Sequence, residues 1–292
     1  MLDDPPPTGQ RQAARATHTH CIGCVSYLNA RPLIEGLDER DDLSVRFDVP
    51  SRLLEDLHAR RVAIALCPII DFYTSEQPLT IVPAGGIGCA GETLTVRIFS
   101  KTPIAGIAEI HADTDSHTSV ALMRILLAER FDIRPRIIPY HAREHVAQHR
   151  LVDRPEAMLL IGDKVVTDSP RAVEYPHQLD LGQAWAEWTG LPFVFAVWMA
   201  LRDTSPTVLA ELDRELDAQR RCNASRIADI AARRAGMHGW PVDLAQRYLG
   251  ELLQYSIGQQ QVAAIERCGA LAHAHHLIPA AQPVTHSHPL AT

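Results

Sequence analysis

The feature that most constrains this chain is an alternation: from about Cys21 to Leu201, short apolar, β-branched runs take turns with stretches of helical periodicity. Runs of the first kind bury best as strands, and stretches of the second as helices laid against them. Layered α/β architecture follows, rather than a bundle or a sandwich. CIGCVSYL (21–28) reads as a strand leading into a sharp turn, with Pro32 suited to the first turn of a helix. LSVRFDV (43–49) alternates as a strand, and Ser51 is placed to cap the helix behind it. RVAIALCPI (61–69) is a buried strand, and LTIVPAGG (79–86) and ETLTVRIFS (92–100) read as two more about a glycine-rich turn. SHTSVALMRILLAERF (116–131) is the clearest helix, while RPRIIPY (134–140) and AMLLIGDKVV (157–166) read as buried strands of parallel type.

After LPFVFAVWMAL (191–201) the pattern turns helical and stays so. Ser205 with Pro206 starts a helix through about Ala235, Pro241 starts another, and QQQVAAIERCGALA closes the series. Strands first, then helices returning, suit two lobes: residues 19–96 with 197–272 in one, and 97–196 inserted as the other. Residues 1–18, with Pro5, Pro6 and Pro7, and the His-, Pro- and Ala-rich residues 273–292 are expected to be disordered tails.

Composition narrows the function classes. The 292 residues are 46% apolar, enough for a large core, and the net charge of −7 offers no basic stripe for nucleic acid. No apolar run approaches the roughly 18 residues of a membrane span, and no signal peptide is legible, so a cytoplasmic address and no membrane partner are expected. Six scattered cysteines suit reduced thiols.

Several motifs have bland readings that outweigh their sharp ones. GIGCAG (Gly86, Gly88, Gly91) matches a dinucleotide fingerprint, but a β-branched run follows it where a phosphate-cradling loop must open a helix. HAREH (His141, Glu144, His145), continued by His149, has zinc-protease spacing, yet its neighbours Arg143, Gln148 and Arg150 suit a solvated helix. In HTHCIGC, His18 and His20 precede Cys21 and Cys24, whose side chains fall on opposite faces of an extended run. The histidines His273, His275, His276, His286 and His288 read as a polar tail, so no metal is expected. Better suited to chemistry is Asp115-Ser116-His117-Thr118-Ser119, where hydroxyls meet the free N–H groups and positive dipole end of a helix. Ser26-Tyr27-Leu28-Asn29 opens a second helix in the same polar manner, and two such places in different lobes would face one cleft holding a small anion.

At this point several segments together resemble one family. SYLNARPL (26–33), GGIGCAGETLTVRIFSK (85–101), DTDSHTSVALMRILL (113–127), LLIGDKVV (159–166), LGQAWAEWTGLPFVFAVW (181–198) and YLGELLQYSIG (248–258) are similar to the chorismate dehydratases of the futalosine route to menaquinone. The resemblance spans about Cys21 to Ala272. It implies a two-lobed α/β fold like the type II periplasmic binding proteins, with the ligand cleft between lobes. It also implies a cofactor-independent carbon–oxygen lyase that converts chorismate to 3-[(1-carboxyvinyl)oxy]benzoate and water, with chorismate as the small-molecule partner. Asn29 would then sit at the catalytic centre with Ser26 beside it. Thr95, Ser116, Thr118 and Ser119 would hold carboxylates, and His117 and Gly91 would complete the substrate-binding set. The family usually has Ser where this chain has Thr95. Because His117 alone among the matched acids and bases is placed as a base, the substrate's own side-chain carboxylate is expected to take the proton, with Asn29 orienting it. The alternatives are the sister enzyme that forms dihydroxynaphthoate, against which the SYLN turn argues, and a carboxylate-binding protein without chemistry. Oligomeric state is open.

Overall fold

The computed structural model describes residues 20–113, 115–140, 154–281 and 283–287, apart from the Ser51 side chain. The HAREH motif, its continuation His149, and His18 lie outside them. Eleven strands are present among the described residues: β1 (His20–Cys24), β2 (Leu43–Phe47), β3 (Ile64–Pro68), β4 (Leu79–Cys89), β5 (Val96–Ser100), β6 (Glu109–Asp113), β7 (Arg136–Tyr140), β8 (Ala157–Ile161), β9 (His177–Asp180), β10 (Phe193–Leu201) and β11 (Leu253–Gln254). They make two mixed sheets, ordered β11-β4-β10-β3-β1-β2 and β7-β6-β8-β5-β9.

In the first sheet β1 runs parallel to β2 and β3, whereas β10 is antiparallel to both β3 and β4. The strand that returns from the second sheet therefore enters the middle of the first, between β3 and β4. In the second sheet β6 is parallel to β7 and β8, while β5 is antiparallel to β8 and β9. Central strands are buried end to end, as in β3 and β8, which explains their unbroken apolar sequences. β7 differs from its expected burial: it is an edge strand, paired only with β6 among the described strands, and Arg136 and Pro139 are exposed. The apolar run at 157–166 likewise splits, ending as a strand at Ile161 and resuming as a helical turn over Lys164–Thr167.

Two boundaries move for a physical reason. β4 continues through Gly86, Ile87 and Gly88 to Cys89, so these glycines form strand rather than turn. A Cβ on Gly86 would stand 2.6 Å from the Ala196 carbonyl oxygen and one on Gly88 2.7 Å from that of Phe193, so the missing side chains let β4 and β10 close together. The strand expected over 92–100 begins only at Val96, because Leu94 adopts a left-handed φ of 64° and breaks the extended run.

Helices cover both sheets. His117–Phe131 follows β6 and is capped by Ser116, as its hydroxyl-rich start predicts. Val49, not Ser51, occupies the cap position of helix Pro50–His58, with Pro50 in its first turn. The long helix expected after Ser205 breaks in two, Pro206–Ala224 and Ile227–Arg234. The last helix reaches Ala274, and beyond it Thr285 accepts from the Ile81 N–H while Ser287 donates to the Ile81 carbonyl. Part of the region expected as tail thus covers backbone at the free edge of β4, where unpaired groups would otherwise stand. No helix among the described residues is long and apolar enough to cross a membrane.

Replacing Gly88 with alanine should force β4 from β10 and cost about 1–3 kcal/mol. Urea unfolding of Gly88→Ala checks this; an unchanged midpoint would show that the strands yield freely.

Candidate active site

The first wall of the site grows from the carboxyl end of β1. The strand stops at Cys24, Tyr27 stays extended, and a 3-10 turn over Leu28–Ala30 leads into the short helix Arg31–Ile34. Leu28 and Ala30 are buried in the core, which leaves half-buried Asn29 between them to line the cavity. Its Oδ1 is buried and accepts no hydrogen bond within the protein.

The second wall is the loop Thr93–Thr95, and one carboxylate shapes it. Asp180 accepts from the backbone N–H of Thr93 (3.0 Å) and Leu94 (2.8 Å) and from the Thr93 hydroxyl (3.1 Å). It also caps helix Leu181–Thr189 by accepting from the N–H of Gly182 and Gln183, both at 3.1 Å. Buried and almost fully hydrogen-bonded, this carboxylate holds the left-handed Leu94 in place. Gly182 completes the contact: a Cβ there would lie 2.3 Å from Thr93 Cγ2 and 2.5 Å from Cys89 Sγ. Thr95 is thereby delivered to the cavity, where its hydroxyl meets the Tyr248 hydroxyl at 2.7 Å.

Helix His117–Phe131 supplies the third wall through its first turn. Ser116 Oγ accepts from the Ser119 N–H (3.4 Å) and the Ser119 hydroxyl (3.2 Å), and both serines line the cavity. With both lone pairs engaged, Ser116 keeps its own O–H to donate. Positive dipole from four turns of helix adds to that donor.

Four of the expected site residues therefore share one cavity: Asn29, Thr95, Ser116 and Ser119. The other four do not line it. Ser26 is exposed, and Gly91 has open space where a side chain would be. Thr118 turns away and accepts from the Ile70 N–H at 3.2 Å, while His117 Nδ1 lies 3.0 Å from Asp71 Oδ1. Both contacts tie the helix start to the segment after β3, in the other sheet. The Asp71 carboxylate raises the pKa of the His117 imidazole above its ordinary 6.5, against a smaller opposing effect of burial. A further tie crosses the cleft, where Tyr27 donates to Asp115 Oδ2 (3.2 Å) and Lys164 donates to the same oxygen at 2.7 Å. Lys164 also pairs with Asp113 at 2.5 Å, a carboxyl whose pKa burial raises and Lys164 partly restores.

The cavity holds about 620 Å³ of empty space, mouth included, at the carboxyl ends of β1, β3, β6 and β8. Such a position is where open α/β sheets bind ligands. Val25, Leu66, Ile87, Ile161, Phe195 and Leu253 give it apolar walls. Among the described residues, no carboxylate, imidazole, amine or guanidinium lines it; its polar groups are hydroxyls, the Asn29 amide and backbone. Sequence reasoning missed Thr93 and Tyr248 as lining residues. Tyr248 stood inside the YLGELLQYSIG segment, but nothing in that segment's spacing marks one tyrosine for a site. Among the described residues, no three His, Cys, Asp or Glu side chains are grouped to hold a metal ion.

A family described as menaquinone biosynthesis matches residues 21–274. This chain belongs to that family. It is 30% identical over 245 residues to the chorismate dehydratase of Thermus thermophilus, covering 79% of this chain and 87% of that protein. Among solved structures, it resembles the alkanesulfonate-binding protein SsuA of Xanthomonas axonopodis pv. citri bound to MOPS, at 13% identity and a TM-score of 0.64 over 92% of this chain and 96% of the other. It also resembles a Candida albicans gene product with the generic periplasmic binding protein fold, at 11% identity and a TM-score of 0.63 over 94% and 98% of the two chains. The fold is thus periplasmic-binding-protein-like, as the sequence led us to expect, with its cavity between the two sheets.

Asp180→Ala should strand at least three backbone N–H groups and cost about 2–4 kcal/mol by urea unfolding; a loss under about 0.5 kcal/mol would mean the loop has other support. The His117–Asp71 contact should matter most on the acid side. A raised folded-state pKa contributes stability that is complete below the unfolded value of 6.5 and is lost as pH rises through the folded value. The gap in melting temperature between wild type and His117→Ala should accordingly be wide near pH ~6 and narrow by pH ~8.5. A gap that widens with pH would reverse the assignment.

Proposed function

We propose that this protein is a chorismate dehydratase, a carbon–oxygen lyase that works without a cofactor, and that Asn29, Thr95, Ser116 and Ser119 form its site. The observation that carries the reading is the neutral, donor-rich cleft between the two sheets, taken with family membership and the likeness to the Thermus thermophilus enzyme. Chorismate carries a ring carboxylate and a carboxylate on its enolpyruvyl ether, so a cleft with hydroxyl donors on two walls matches its two anionic ends.

The chemistry asks little of the protein in acid–base terms. Removing the proton from the ring carbon that bears the ether sends electrons along the diene to the ring carboxylate. Breaking the adjacent carbon–oxygen bond then expels hydroxide, which leaves as water after taking a proton, and the ring becomes aromatic. Aromatisation supplies the driving force. The site must orient the dienol and stabilise charge growing on the ring carboxylate, and fixed O–H donors do both. Ser116, with its free O–H at a helix start, suits the carboxylate, and Thr95 supplies a second hydroxyl across the cleft. Since no basic side chain among the described residues lines the cavity, the substrate's own side-chain carboxylate is the group best placed to accept the ring proton and return it to the departing hydroxide.

Mixing purified protein with chorismate and following the ultraviolet spectrum tests the reading, because the diene must give way to a benzoate chromophore. Asn29→Ala should lower kcat by about 100-fold or more. Saturable binding of chorismate with no spectral change would reduce the protein to a binding module, and full turnover by Asn29→Ala would remove that residue from the centre.

A further inference from the structure

β10 is irregular where it passes the cavity. Val194 pairs with Gly88 and Ala196 with Ile87, so two successive residues of β4 face three of β10, and Phe195 has no partner on that side. Toward β3 the register is intact: Ala196 pairs with Pro68, and the Phe195 carbonyl accepts from the Ile69 N–H at 2.9 Å. The extra residue makes a β-bulge, a device that re-aims a side chain. Gly86 and Gly88 fit it, because the carbonyls that press on β4 at these glycines belong to Ala196 and Phe193, on either side of Phe195.

The consequence falls at the cavity. Successive side chains of a regular strand point to opposite faces, so Phe195 and Ala196 could not both face one cavity without the bulge. Both line this one. Around Ala196 the ordinary alternation holds: Leu66 and Pro68, two apart on β3, line the cavity, as does Ile87 opposite Ala196. Phe195 is thus the one aromatic side chain that the first sheet contributes to the cavity among the described residues, on an otherwise aliphatic floor.

The ring is held from behind. Phe193 meets it edge to face at 4.7 Å between centroids and 67° between planes, and Trp185 meets Phe193 at 5.2 Å and 70°. Trp185 is buried in helix Leu181–Thr189, the helix that Asp180 caps, and donates from Nε1 to the Pro192 carbonyl at 3.0 Å. Three rings therefore run in a row from helix to cavity. A wall residue fixed in advance loses little side-chain freedom when a ligand meets it.

We propose that Phe195 is a specificity-determining residue that selects a flat, unsaturated ring as the body of the ligand, so that the class of ligand is a planar cyclic carboxylate. Hydroxyl donors at Ser116 and Ser119 suit the anionic end, and the aliphatic floor accepts any apolar body that fits. Phe195 separates unsaturated rings from saturated ones, because aromatic pairs gain beyond the area they bury. The inference deepens the dehydratase reading and rests on it for the substrate, whose ring flattens as it becomes aromatic, so that contact with Phe195 improves along the reaction.

Benzoate and cyclohexanecarboxylate, equal in charge and close in size, are the probes. In NMR titrations, wild-type protein should bind benzoate on the order of fivefold more tightly than cyclohexanecarboxylate. Phe195→Leu, which keeps an apolar side chain, should bring the two affinities within about twofold of each other, with little change for cyclohexanecarboxylate. Bound benzoate in the wild type should also show nuclear Overhauser contacts between its ring protons and those of Phe195, a measurement that needs no variant. Equal affinities in the wild type, binding of neither probe, missing contacts, or a preference that survives in Phe195→Leu would each overturn the proposal. A wild type that prefers benzoate yet leaves chorismate intact would sink the dehydratase reading and keep Phe195 in its role. Turnover of chorismate with no ring preference would do the reverse.

Discussion

A single buried carboxylate organises the meeting of the two sheets. Asp180 ends β9, begins helix Leu181–Thr189 and binds the loop that opens β5, so strand, helix and site share one acceptor. Its effect is to impose a backbone conformation the local sequence would not choose. Glu92-Thr93-Leu94-Thr95 is written as β-branched strand, and a leucine at φ 64° is strained on its own. Hydrogen bonds to Asp180 at Thr93 and Leu94 offset that strain, and they turn Thr95 from a strand position into a cavity wall. The absent Cβ at Gly182 is the steric half of the same arrangement.

The cleft is closed by polar ties of a different kind from those that build it. Tyr27 with Asp115 and Lys164, Thr118 with Ile70, and His117 with Asp71 all join segments belonging to different sheets. Several are part-exposed, and such contacts contribute modestly. The contrast with Asp180 is instructive: that carboxylate is buried and serves the shape of the site, whereas these contacts join segments of the two sheets across the cleft.

Much of this was legible in the sequence. Apolar runs marked β1, β3, β8 and β10, and the Ser116 hydroxyl announced both a helix cap and a donor site. The serines of that cap do reach the cavity, because the first turn of the helix points there. Thr118 and His117 share its hydroxyl-rich and polar character but leave the helix in other directions, so composition alone could not separate them from Ser116 and Ser119. Other errors came from tertiary causes. Gly86 and Gly88 look like turn residues until β10 is known to press its carbonyls against them, and Leu94 looks like strand until Asp180, more than eighty positions away, is placed beside it. Tyr248 carried no local signal at all, since its contact with the Thr95 hydroxyl depends on a segment far away in the chain.

The composition of the cavity argues for a particular division of labour. A charged lining would bind a dianion tightly in both its ground and transition states, and uniform binding of that kind does not raise kcat. Neutral hydroxyls at a helix start interact more strongly as charge concentrates on one carboxylate, so their gain grows along the reaction. For a substrate bound there, apolar walls from Leu66, Ile87, Phe195 and Leu253 would sharpen that difference by lowering the local dielectric. A small-molecule binder needs only the first kind of interaction; the neutral, braced and partly apolar character of this cleft is what an elimination driven by aromatisation requires.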